Sequence, residues 1–230
     1  MRYESKFVFP AEMHAGFLNR VRSSCFLFSE IYWERKINNI YLDTLEFKNL
    51  YDNLNGVQNR VKHRIRWYGE ATAVDKPVLE FKIKHGELGE KEFYWLPKLN
   101  FSQNFNFDDY REKIRSESDR SSAEINLMLA DLNIEIPTLY NTYWRQYFLS
   151  GDKKLRLTID RDLRYTRMDR WHSSLSTFSE DKIVVELKYN NPDIGQAGRI
   201  MQDLGLRAAR NSKYVIGMRA LYFNDILQQA

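Results

Sequence analysis

Four basic residues alternate with four other residues in the segment RVKHRIRW, at positions 60–67. Because successive side chains of a β-strand point to opposite faces, Arg60, Lys62, Arg64 and Arg66 would share one face of a predicted strand. Arginine binds phosphate through paired hydrogen bonds, and lysine binds it as a point charge. The chemistry that this spacing indicates is the binding of a phosphate-bearing ligand.

Glutamate and lysine stand two positions apart in three further segments, ESK, EFK and ELK. Each pair is predicted to lie on one strand face: Glu4 with Lys6, Glu80 with Lys82, and Glu186 with Lys188. A few carboxylates among cations can hold Mg²⁺ or Mn²⁺, and such an ion bridges phosphate oxygens. The sequence therefore offers candidate metal ligands beside its candidate phosphate ligands.

Segments with a period of two predict the strands that position these side chains. They cover residues 2–8, 37–43, 60–68, 78–84, 91–95, 139–149, 155–163, 183–189 and 213–217. Helical spacing predicts helices over residues 10–28, 45–53, 108–132 and 193–204, and residues 168–182 are expected to form a hairpin connection. Together these elements predict an antiparallel, β-rich fold of the α+β class, organised as one domain over residues 1–230.

Cations predominate on the polar faces of these predicted strands. The face residues are Arg2, Glu4 and Lys6; Arg60, Lys62, Arg64 and Arg66; Glu80, Lys82 and Lys84; Arg145; Arg156, Thr158 and Asp160; Glu186 and Lys188; and Lys213. For a single strand, the simplest interpretation is a half-buried sheet whose charges face water. Like charges opposite one another across strands are destabilising, however, so the excess of cations needs a further reason.

A closed barrel with helices packed outside would supply that reason. The apolar strand faces would contact the helices, and the charged faces would line the lumen. Unpaired cations in a lumen are costly to desolvate unless an anion compensates them. A closed barrel therefore predicts a chain of phosphates as ligand, whereas a partly open sheet would bind phosphate less selectively.

The composition is that of a folded protein, since 43% of the residues are hydrophobic and only five are proline. The net charge of +4 is modest, so the distribution of charge matters more than its sum. The one cysteine, Cys25, excludes an internal disulfide and a multi-cysteine zinc site. No apolar run reaches the length of a membrane span, so we expect no integral membrane segment and a cytoplasmic location.

Eight short motifs, taken in order along the chain, resemble one known family. They are RYESKF near the start, IYLDT at 40–44, KHRIRWYG at 62–69, LEFK at 79–82, YWR at 143–145, RLTID at 156–160, VELKY at 185–189 and NSKY at 211–214. The set is similar to the catalytic domain of the vacuolar transporter chaperone (VTC) family. That family belongs to the CYTH-like superfamily of triphosphate tunnel metalloenzymes.

The resemblance implies an eight-stranded antiparallel closed β-barrel, the tunnel, with helices packed outside. It also implies a polyphosphate polymerase, a phosphotransferase that moves the γ-phosphate of ATP to a growing polyphosphate chain with Mn²⁺ or Mg²⁺. Carried over position by position, the catalytic and phosphate-binding residues are Lys6, Arg64, Arg66, Arg145, Arg156, Lys188 and Lys213, with Lys82 and Lys84 as further phosphate ligands. The implied metal ligand is Glu186, supported by Glu4, Glu80 and Asp160.

One departure from the superfamily bears on the reaction. The triphosphatase and adenylate cyclase branches begin with a Glu-x-Glu-x-Lys strand, whereas Arg2 stands at the first of those positions here. A carboxylate that would hold metal and help activate water is missing, which favours the polymerase branch. An inorganic triphosphatase acting on tripolyphosphate, and a binding module without catalysis, stay open as alternatives.

Aromatic residues between the basic ones also raise single-stranded nucleic acid as a ligand. The three Glu-x-Lys pairs argue against it, because carboxylates repel a nucleic-acid backbone unless metal is present, so no specific nucleic acid is expected. Trp67, Trp95 and Trp144 are expected to pack in the core or against helices, rather than to stack on bases. His63 alternates away from the cations and is expected to be a structural side chain.

Overall fold

A computed structural model describes most of the chain. The described residues are 2–70, 72–86, 88–102, 105–117, 130, 132–168 and 176–223. Within these ranges, no helix is both long enough and apolar enough to cross a lipid bilayer.

Strands make up most of the described elements, in agreement with the predicted α+β class. They are β1 (Arg2–Pro10), β2 (Ser29–Asp43), β3 (Asn59–Tyr68), β4 (Ala73–Val74), β5 (Val78–His85), β6 (Leu88–Trp95), β7 (Leu99–Asn100), β8 (Ile136–Leu149), β9 (Arg156–Arg167), β10 (Thr177–Glu180) and β11 (Lys182–Asn190). The helices are α1 (His14–Ser23), α2 (Lys48–Leu54), α3 (Phe107–Glu117), α4 (Ile194–Asp203) and α5 (Lys213–Tyr222), and single 3₁₀ turns precede α1 and α4.

Nine of the strands form one antiparallel sheet, in the order β10-β9-β11-β1-β6-β5-β3-β2-β8. Strand β8 pairs with β2 on one side and also with β9 on the other. The junction between β1 and β6 is short, since one residue pair, Arg2 with Gly89, is in register there. The small strands β4 and β7 form a separate pair.

Apolar side chains cover the outer face of the sheet in two clusters. In one cluster, strands β1, β9 and β11 pack against α1 and α4, with Phe7, Leu157 and Leu187 fully buried. In the other, strands β2, β3 and β5 pack against α3, with Ile65 and Leu79 fully buried. Because successive residues alternate between faces, this packing directs the charged residues of the same strands to the opposite side.

Helix α5 packs on that opposite side, at one end of the sheet. Its residues Tyr214 and Met218 are buried with Tyr143 and Tyr165 in a third cluster. A β-bulge in β9, where Asp162 has a left-handed backbone with φ of 54°, changes the residues that face α5. Asp160, which precedes the bulge, and Leu163 and Tyr165, which follow it, point to the same side of the sheet. The part of this side that lies against α5 is therefore apolar.

The prediction of a strand over residues 213–217 is wrong, because these residues begin α5. The β-branched pair Val215 and Ile216 favours a strand locally, but packing of Tyr214 and Met218 under the sheet decides for a helix. The predicted strand over 37–43 also begins earlier, at Ser29.

The other predicted elements agree in type and differ in their ends. The helix predicted over 10–28 is confined to a 3₁₀ turn and α1, and those over 45–53 and 193–204 correspond to α2 and α4. Of the helix predicted over 108–132, α3 covers the first part, and residues 118–129 and 131 lie outside the described residues. The connection predicted over 168–182 contains β10, and residues 169–175 lie outside the described part.

Two helix-interior glycines allow a test of how closely α5 packs against the sheet. A Cβ at Gly217 would lie 2.6 Å from Leu139 Cδ2 and 2.7 Å from Tyr165 Cδ1, whereas a Cβ at Gly198 of α4 would meet nothing within 4 Å. We expect Gly217→Ala to lower the free energy of unfolding by about 1–3 kcal/mol, because overpacking exceeds the gain in helix propensity. Urea unfolding measures this change.

The matched control is Gly198→Ala, which gains helix propensity without a clash. It is expected to raise the free energy of unfolding by about 0.5–1 kcal/mol. If both alanine variants were equally stabilised, α5 would not be packed as closely against β8 and β9 as described.

Candidate active site

Fourteen charged side chains lie together on the inner face of the sheet and at the start of α5; we call this set the cationic face. Its ten basic members are Lys6, Lys62, Arg64, Arg66, Lys82, Lys91, Arg145, Arg156, Lys188 and Lys213. Its four carboxylates are Glu4, Glu80, Asp160 and Glu186. The strand alternation predicted from the sequence therefore holds for the residues of β1, β3, β5, β8, β9 and β11.

Asp160 and Glu186 are two buried carboxylates of the cationic face that share basic partners. Asp160 accepts hydrogen bonds of 2.6 Å from Arg145 Nη2 and from Lys213 Nζ, and it has no exposed surface. Arg145 Nη2 also donates to Glu186 at 3.2 Å, and Lys213 Nζ lies 3.9 Å from Glu186. Burial opposes ionisation of Asp160 and Glu186, but the adjacent Arg145 and lysines hold the pKa of both carboxyls below their ordinary values.

Glu4 lies between three lysines on neighbouring strands. Its carboxylate is 3.1 Å from Lys82 Nζ, 3.4 Å from Lys6 Nζ and 3.7 Å from Lys188 Nζ. Burial and the nearby Glu186 raise the pKa of Glu4, but the three lysines prevail and lower it to about 2. Lys6 and Lys188 also contact Glu186, at 3.5 and 3.3 Å, so Glu4 and Glu186 share two lysines.

Glu80 holds a separate group of cations on β3 and β6. It accepts from Arg64 Nε at 2.8 Å, lies 3.4 Å from Arg66 Nη1, and forms an ion pair with Lys91. Burial opposes its ionisation, yet the two arginines and Lys91 lower the pKa of Glu80. Glu80 therefore orients basic side chains and contacts neither Asp160 nor Glu186 directly in the described network.

Lys62 has no carboxylate partner among the described residues. Its Nζ donates to Ser212 Oγ at 3.0 Å, and cations surround it. Burial, followed by the charges of Lys6, Lys82 and nearby arginines, lowers the pKa of Lys62 to about 6. Burial likewise lowers the pKa of Lys82, against the attraction of Glu4, to about 8. The cationic face thus carries more positive charge than its own carboxylates neutralise.

Asn211 and Ser212, which precede α5, cross the cationic face and accept hydrogen bonds from two different strands. The backbone oxygen of Asn211 accepts from Lys6 Nζ of β1 at 3.0 Å, while Ser212 accepts from Lys62 of β3. Tyr214 then stacks on Tyr41 with ring centroids 5.1 Å apart, and its hydroxyl donates to Asp43 Oδ2 at 2.6 Å. These contacts bring the adjacent Lys213 to Asp160.

Asp43 connects Tyr214 of α5 with the start of α2. Its carboxylate also accepts from the backbone N–H groups of Asn49 and Leu50, at 2.8 and 3.0 Å, which satisfies donors in the first turn of the helix. The sequence motifs IYLDT and NSKY therefore meet in space through Asp43 and Tyr214.

Several predicted residues stand apart from the ion-pair network. Arg156 and Lys84 form no ion pair with the described residues, although both are partly buried. The side chain of Arg2 lies outside the described part of the structure. His63 lies on the outer face, where its Nδ1 is 2.7 Å from Glu135 Oε2, in agreement with the expected structural role.

Sequence reasoning missed residues that complete the face. Lys91 was not predicted, although its alternation with Phe93 and Trp95 along β6 is a usable signal. Asn39 accepts from Arg66 Nε at 2.8 Å, and the hydroxyl of Tyr143 accepts from Arg66 Nη2 at 3.3 Å. These neutral side chains give no charge pattern, so only the fold reveals that they position Arg66.

A family model described as the VTC domain matches residues 2–222. The chain belongs to the VTC domain family. The match covers nearly the whole chain, and it confirms the resemblance carried by the eight sequence motifs.

Several solved structures share the fold of this VTC domain. A candidate adenylate cyclase from Bacillus halodurans superposes with a TM-score of 0.56 at 12% identity, covering 97% of each chain. A Hippeastrum protein described as a candidate adenylyl cyclase with a dominant triphosphatase activity has a TM-score of 0.52 at 14% identity, covering 96% of each chain.

A third structure, a candidate adenylate cyclase from Vibrio parahaemolyticus, has a TM-score of 0.51 at 12% identity and covers 93% of this chain and 97% of its own. At such identities the likeness establishes the fold alone. A comparison with curated protein sequences found no match.

The buried charge network of this VTC domain predicts a large effect of Asp160→Asn. The substitution leaves Arg145 and Lys213 buried with less negative charge beside them. We expect the free energy of unfolding to fall by about 3–5 kcal/mol, as when one partner of a buried ion pair is removed. Urea unfolding at neutral pH measures the loss.

Asp162→Asn is the matched control, two residues further along β9. Asp162 is exposed and pairs with Arg161, and such surface pairs contribute about 0–1 kcal/mol. A similar small loss in both variants would contradict the buried position assigned to Asp160.

Proposed function

We propose that this VTC domain is a metal-dependent polyphosphate polymerase that transfers the γ-phosphate of ATP to a growing polyphosphate chain. The observation that carries the proposal is the charge imbalance of the cationic face, where ten basic side chains accompany four carboxylates. Most of this excess lies on partly buried or exposed side chains, and a bound polyanion would compensate their charge. ATP and polyphosphate are polyanions that the family resemblance implies.

The proposal includes a tunnel formed by closure of the sheet. Strand β8 pairs with both β2 and β9, and the contact of Lys82 on β5 with Glu4 on β1 reaches across β6, next to the short β1–β6 junction. The polar faces of β1 and β3 both reach the segment of Asn211 and Ser212, which supports an enclosed face. A phosphate chain is linear, so a tunnel would contact it from several sides.

The carboxylates fit a divalent cation that phosphate oxygens help to hold. Among the described residues, no three His, Cys, Asp or Glu side chains converge as a metal site. Mg²⁺, however, is often bound by one or two carboxylates together with substrate phosphates. Glu186 and Glu4 contact the same two lysines, Lys6 and Lys188. Thr158 is paired with Glu186 on the neighbouring strand, and its buried Oγ1 has no hydrogen-bond partner in the described structure.

In this proposal Glu186 and Glu4 would hold Mn²⁺ or Mg²⁺, with Asp160 and Glu80 orienting the basic groups around them. Such an ion, when bound, neutralises charge on the phosphate oxygens and favours transfer. Arg145, Arg66 and Arg64 are held by carboxylates, so their guanidinium groups are already oriented before substrate binds. Preorganised charges of this kind stabilise the negative charge of the transition state.

The acceptor also suits a face without a histidine base. The end of a polyphosphate chain is already ionised at neutral pH, so the transfer requires alignment more than proton abstraction. Of the described histidines, His63 lies on the outer face against Glu135. The basic residues of the cationic face would therefore carry alignment and charge stabilisation.

Hydrolysis in the same site is the competing reaction. The Hippeastrum protein that shares the fold is described as having a dominant triphosphatase activity, which makes tripolyphosphate a second candidate substrate. Arg2, in place of a carboxylate that a triphosphatase would use, favours transfer to a phosphate chain over transfer to water. Product analysis separates the two reactions.

The direct test incubates the purified protein with ATP and Mn²⁺ or Mg²⁺ and resolves the products on a gel stained for polyphosphate. We expect a ladder of long anionic products from the wild type and from Lys98→Ala, an exposed control. Glu186→Gln and Arg64→Ala are expected to lose at least about tenfold in rate, since each removes a charge from the proposed site, a loss of about 1.4 kcal/mol in transition-state stabilisation.

The products also distinguish the alternatives. Release of phosphate from ATP or tripolyphosphate without elongation would replace the polymerase by a triphosphatase. Tight binding of polyphosphate without turnover, unchanged in Glu186→Gln, would leave a binding module.

The lowered pKa of Lys62, about 6, predicts proton uptake when a polyanion binds. At pH 7.5 this lysine is mostly neutral in the free protein, and phosphate oxygens beside it favour the ammonium form. We therefore expect the wild type to take up close to one more proton than Lys62→Met on binding tripolyphosphate. Calorimetry in two buffers with different ionisation enthalpies counts these protons.

Comparison of the two proteins cancels the titration of the ligand itself. At pH 5, below the pKa of Lys62, the difference is expected to vanish because the lysine is already charged. Lys98→Met serves as the control for loss of an exposed lysine. Equal proton uptake by wild type and Lys62→Met at pH 7.5 would contradict the combination of a lowered Lys62 pKa and a phosphate bound beside it.

A further inference from the structure

One end of the cationic face carries exposed aromatic rings and an arginine; we call this set the aromatic rim. Its members are Tyr32, Arg35, Tyr68, Phe93 and Trp95. The four aromatic side chains are 44%, 50%, 54% and 64% exposed in that order. The prediction that Trp95 packs in the core or against a helix is therefore wrong, whereas Trp67 is buried as expected.

Arg35 is held by aromatic rings instead of by carboxylates. Its Cζ lies 4.4 Å from the ring centroid of Tyr32 and 5.7 Å from those of Tyr68 and Tyr147. No described Asp or Glu lies within ion-pair distance of Arg35, although its neighbours Glu34 and Lys36 each have a partner. Its positive charge is therefore available to an anion.

Irregular pairing in β2 brings Tyr32 and Arg35 to the same side. Residues three apart in a regular strand point to opposite faces. Here the register shifts between Glu30 and Tyr32 and again between Tyr32 and Arg35, so that Tyr32 pairs with Tyr147 and Arg35 with Arg145. Bulges commonly redirect side chains next to binding sites. Trp33, between them, is directed to solvent and is 93% exposed.

The aromatic rim continues the cationic face without a gap. Arg35 is in register with Arg145, and Tyr68 follows Arg66 by two residues on the same face. On β6, Phe93 and Trp95 alternate with Lys91, which contacts Glu80. The other end of the face is occupied by α5, where Tyr214 stacks on Tyr41.

A ligand that meets both regions needs two chemistries. The cationic face suits a chain of phosphates, and exposed aromatic rings suit a planar ring that stacks on them. A bare phosphate chain has no apolar surface and would gain nothing from Tyr68 or Trp95. A nucleoside triphosphate has a planar base at one end and a chain of phosphates at the other. The aromatic rim and the cationic face lie next to each other in the same order.

We propose that the aromatic rim binds the nucleobase of a nucleoside triphosphate, with Arg35 beside the phosphate nearest the nucleoside. The triphosphate then extends toward Arg145 and Arg66. This inference rests on the proposed phosphate-binding function of the cationic face. It assigns a binding site to the nucleoside of the phosphate donor. The aromatic rim would then distinguish ATP from an inorganic polyphosphate.

The test compares the affinities for ATP and for inorganic tripolyphosphate by calorimetry with Mg²⁺ present. Tyr68→Ala is expected to weaken ATP binding by about tenfold, since it removes a ring on which the base stacks. Its affinity for tripolyphosphate is expected to change by less than about twofold, because Tyr32 and Tyr147 still hold Arg35. Tyr68→Phe, which keeps the ring, should retain ATP affinity.

Trp33→Ala is the matched control, since it removes an exposed aromatic residue of the same strand that makes no ring or cation–π contact among the described residues. It should leave both affinities as in the wild type. Trp95 supplies a second readout: ATP, but not tripolyphosphate, should quench tryptophan fluorescence, and Trp95→Phe should remove most of that quenching.

The outcomes separate this inference from the function on which it rests. Equal weakening of ATP and tripolyphosphate in Tyr68→Ala, or no weakening of either, would overturn the base site while leaving phosphate binding in place. A change of oligomeric state in Tyr68→Ala with unchanged ATP affinity would make the rim a contact between copies of the chain, and would also overturn it. Failure of the wild type to bind either ligand would overturn the proposed function as well.

Discussion

The structure depends on holding an excess of positive charge on one partly buried face of the sheet. Every carboxylate of that face contacts at least two cations, and Glu186 contacts four. Such groups are costly to desolvate, and pairing offsets only part of the cost. The apolar clusters on the outer face, packed against α1, α3 and α4, supply the stabilisation that allows this inner face to exist.

Departures from regular strand geometry divide the inner side into three zones. The bulge at Asp162 exchanges polar for apolar residues, so α5 can pack at one end. The irregular pairing of β2 turns both Tyr32 and Arg35 to the other end, where aromatic rings remain exposed. Between them lie the charged residues on regular strands. A helix-filled end, a cationic middle and an aromatic end together suit a ligand that enters from one direction.

The central cations are oriented before any ligand is present. Carboxylates, tyrosine hydroxyls and asparagine oxygens hold Arg64, Arg66 and Arg145 in place, so the proposed phosphate ligand would require little reorganisation of these side chains. Lys62 differs, because it has only Ser212 as a polar partner among the described residues and its pKa is lowered. An anion that binds at the cationic face is therefore expected to meet arginines that are already charged and oriented, and to favour protonation of Lys62.

The sequence by itself determined which side chains share a face, because strand alternation is a local property of the backbone. Arg64, Arg66 and Glu186 lie where period-two spacing predicted. Only the tertiary structure decided that Lys213 begins a helix, since packing of Tyr214 beneath the sheet overrides the strand preference of Val215 and Ile216. It also decided that Lys91 meets Glu80 and that Trp95 stays exposed, because these depend on strand order and on which surfaces the helices cover.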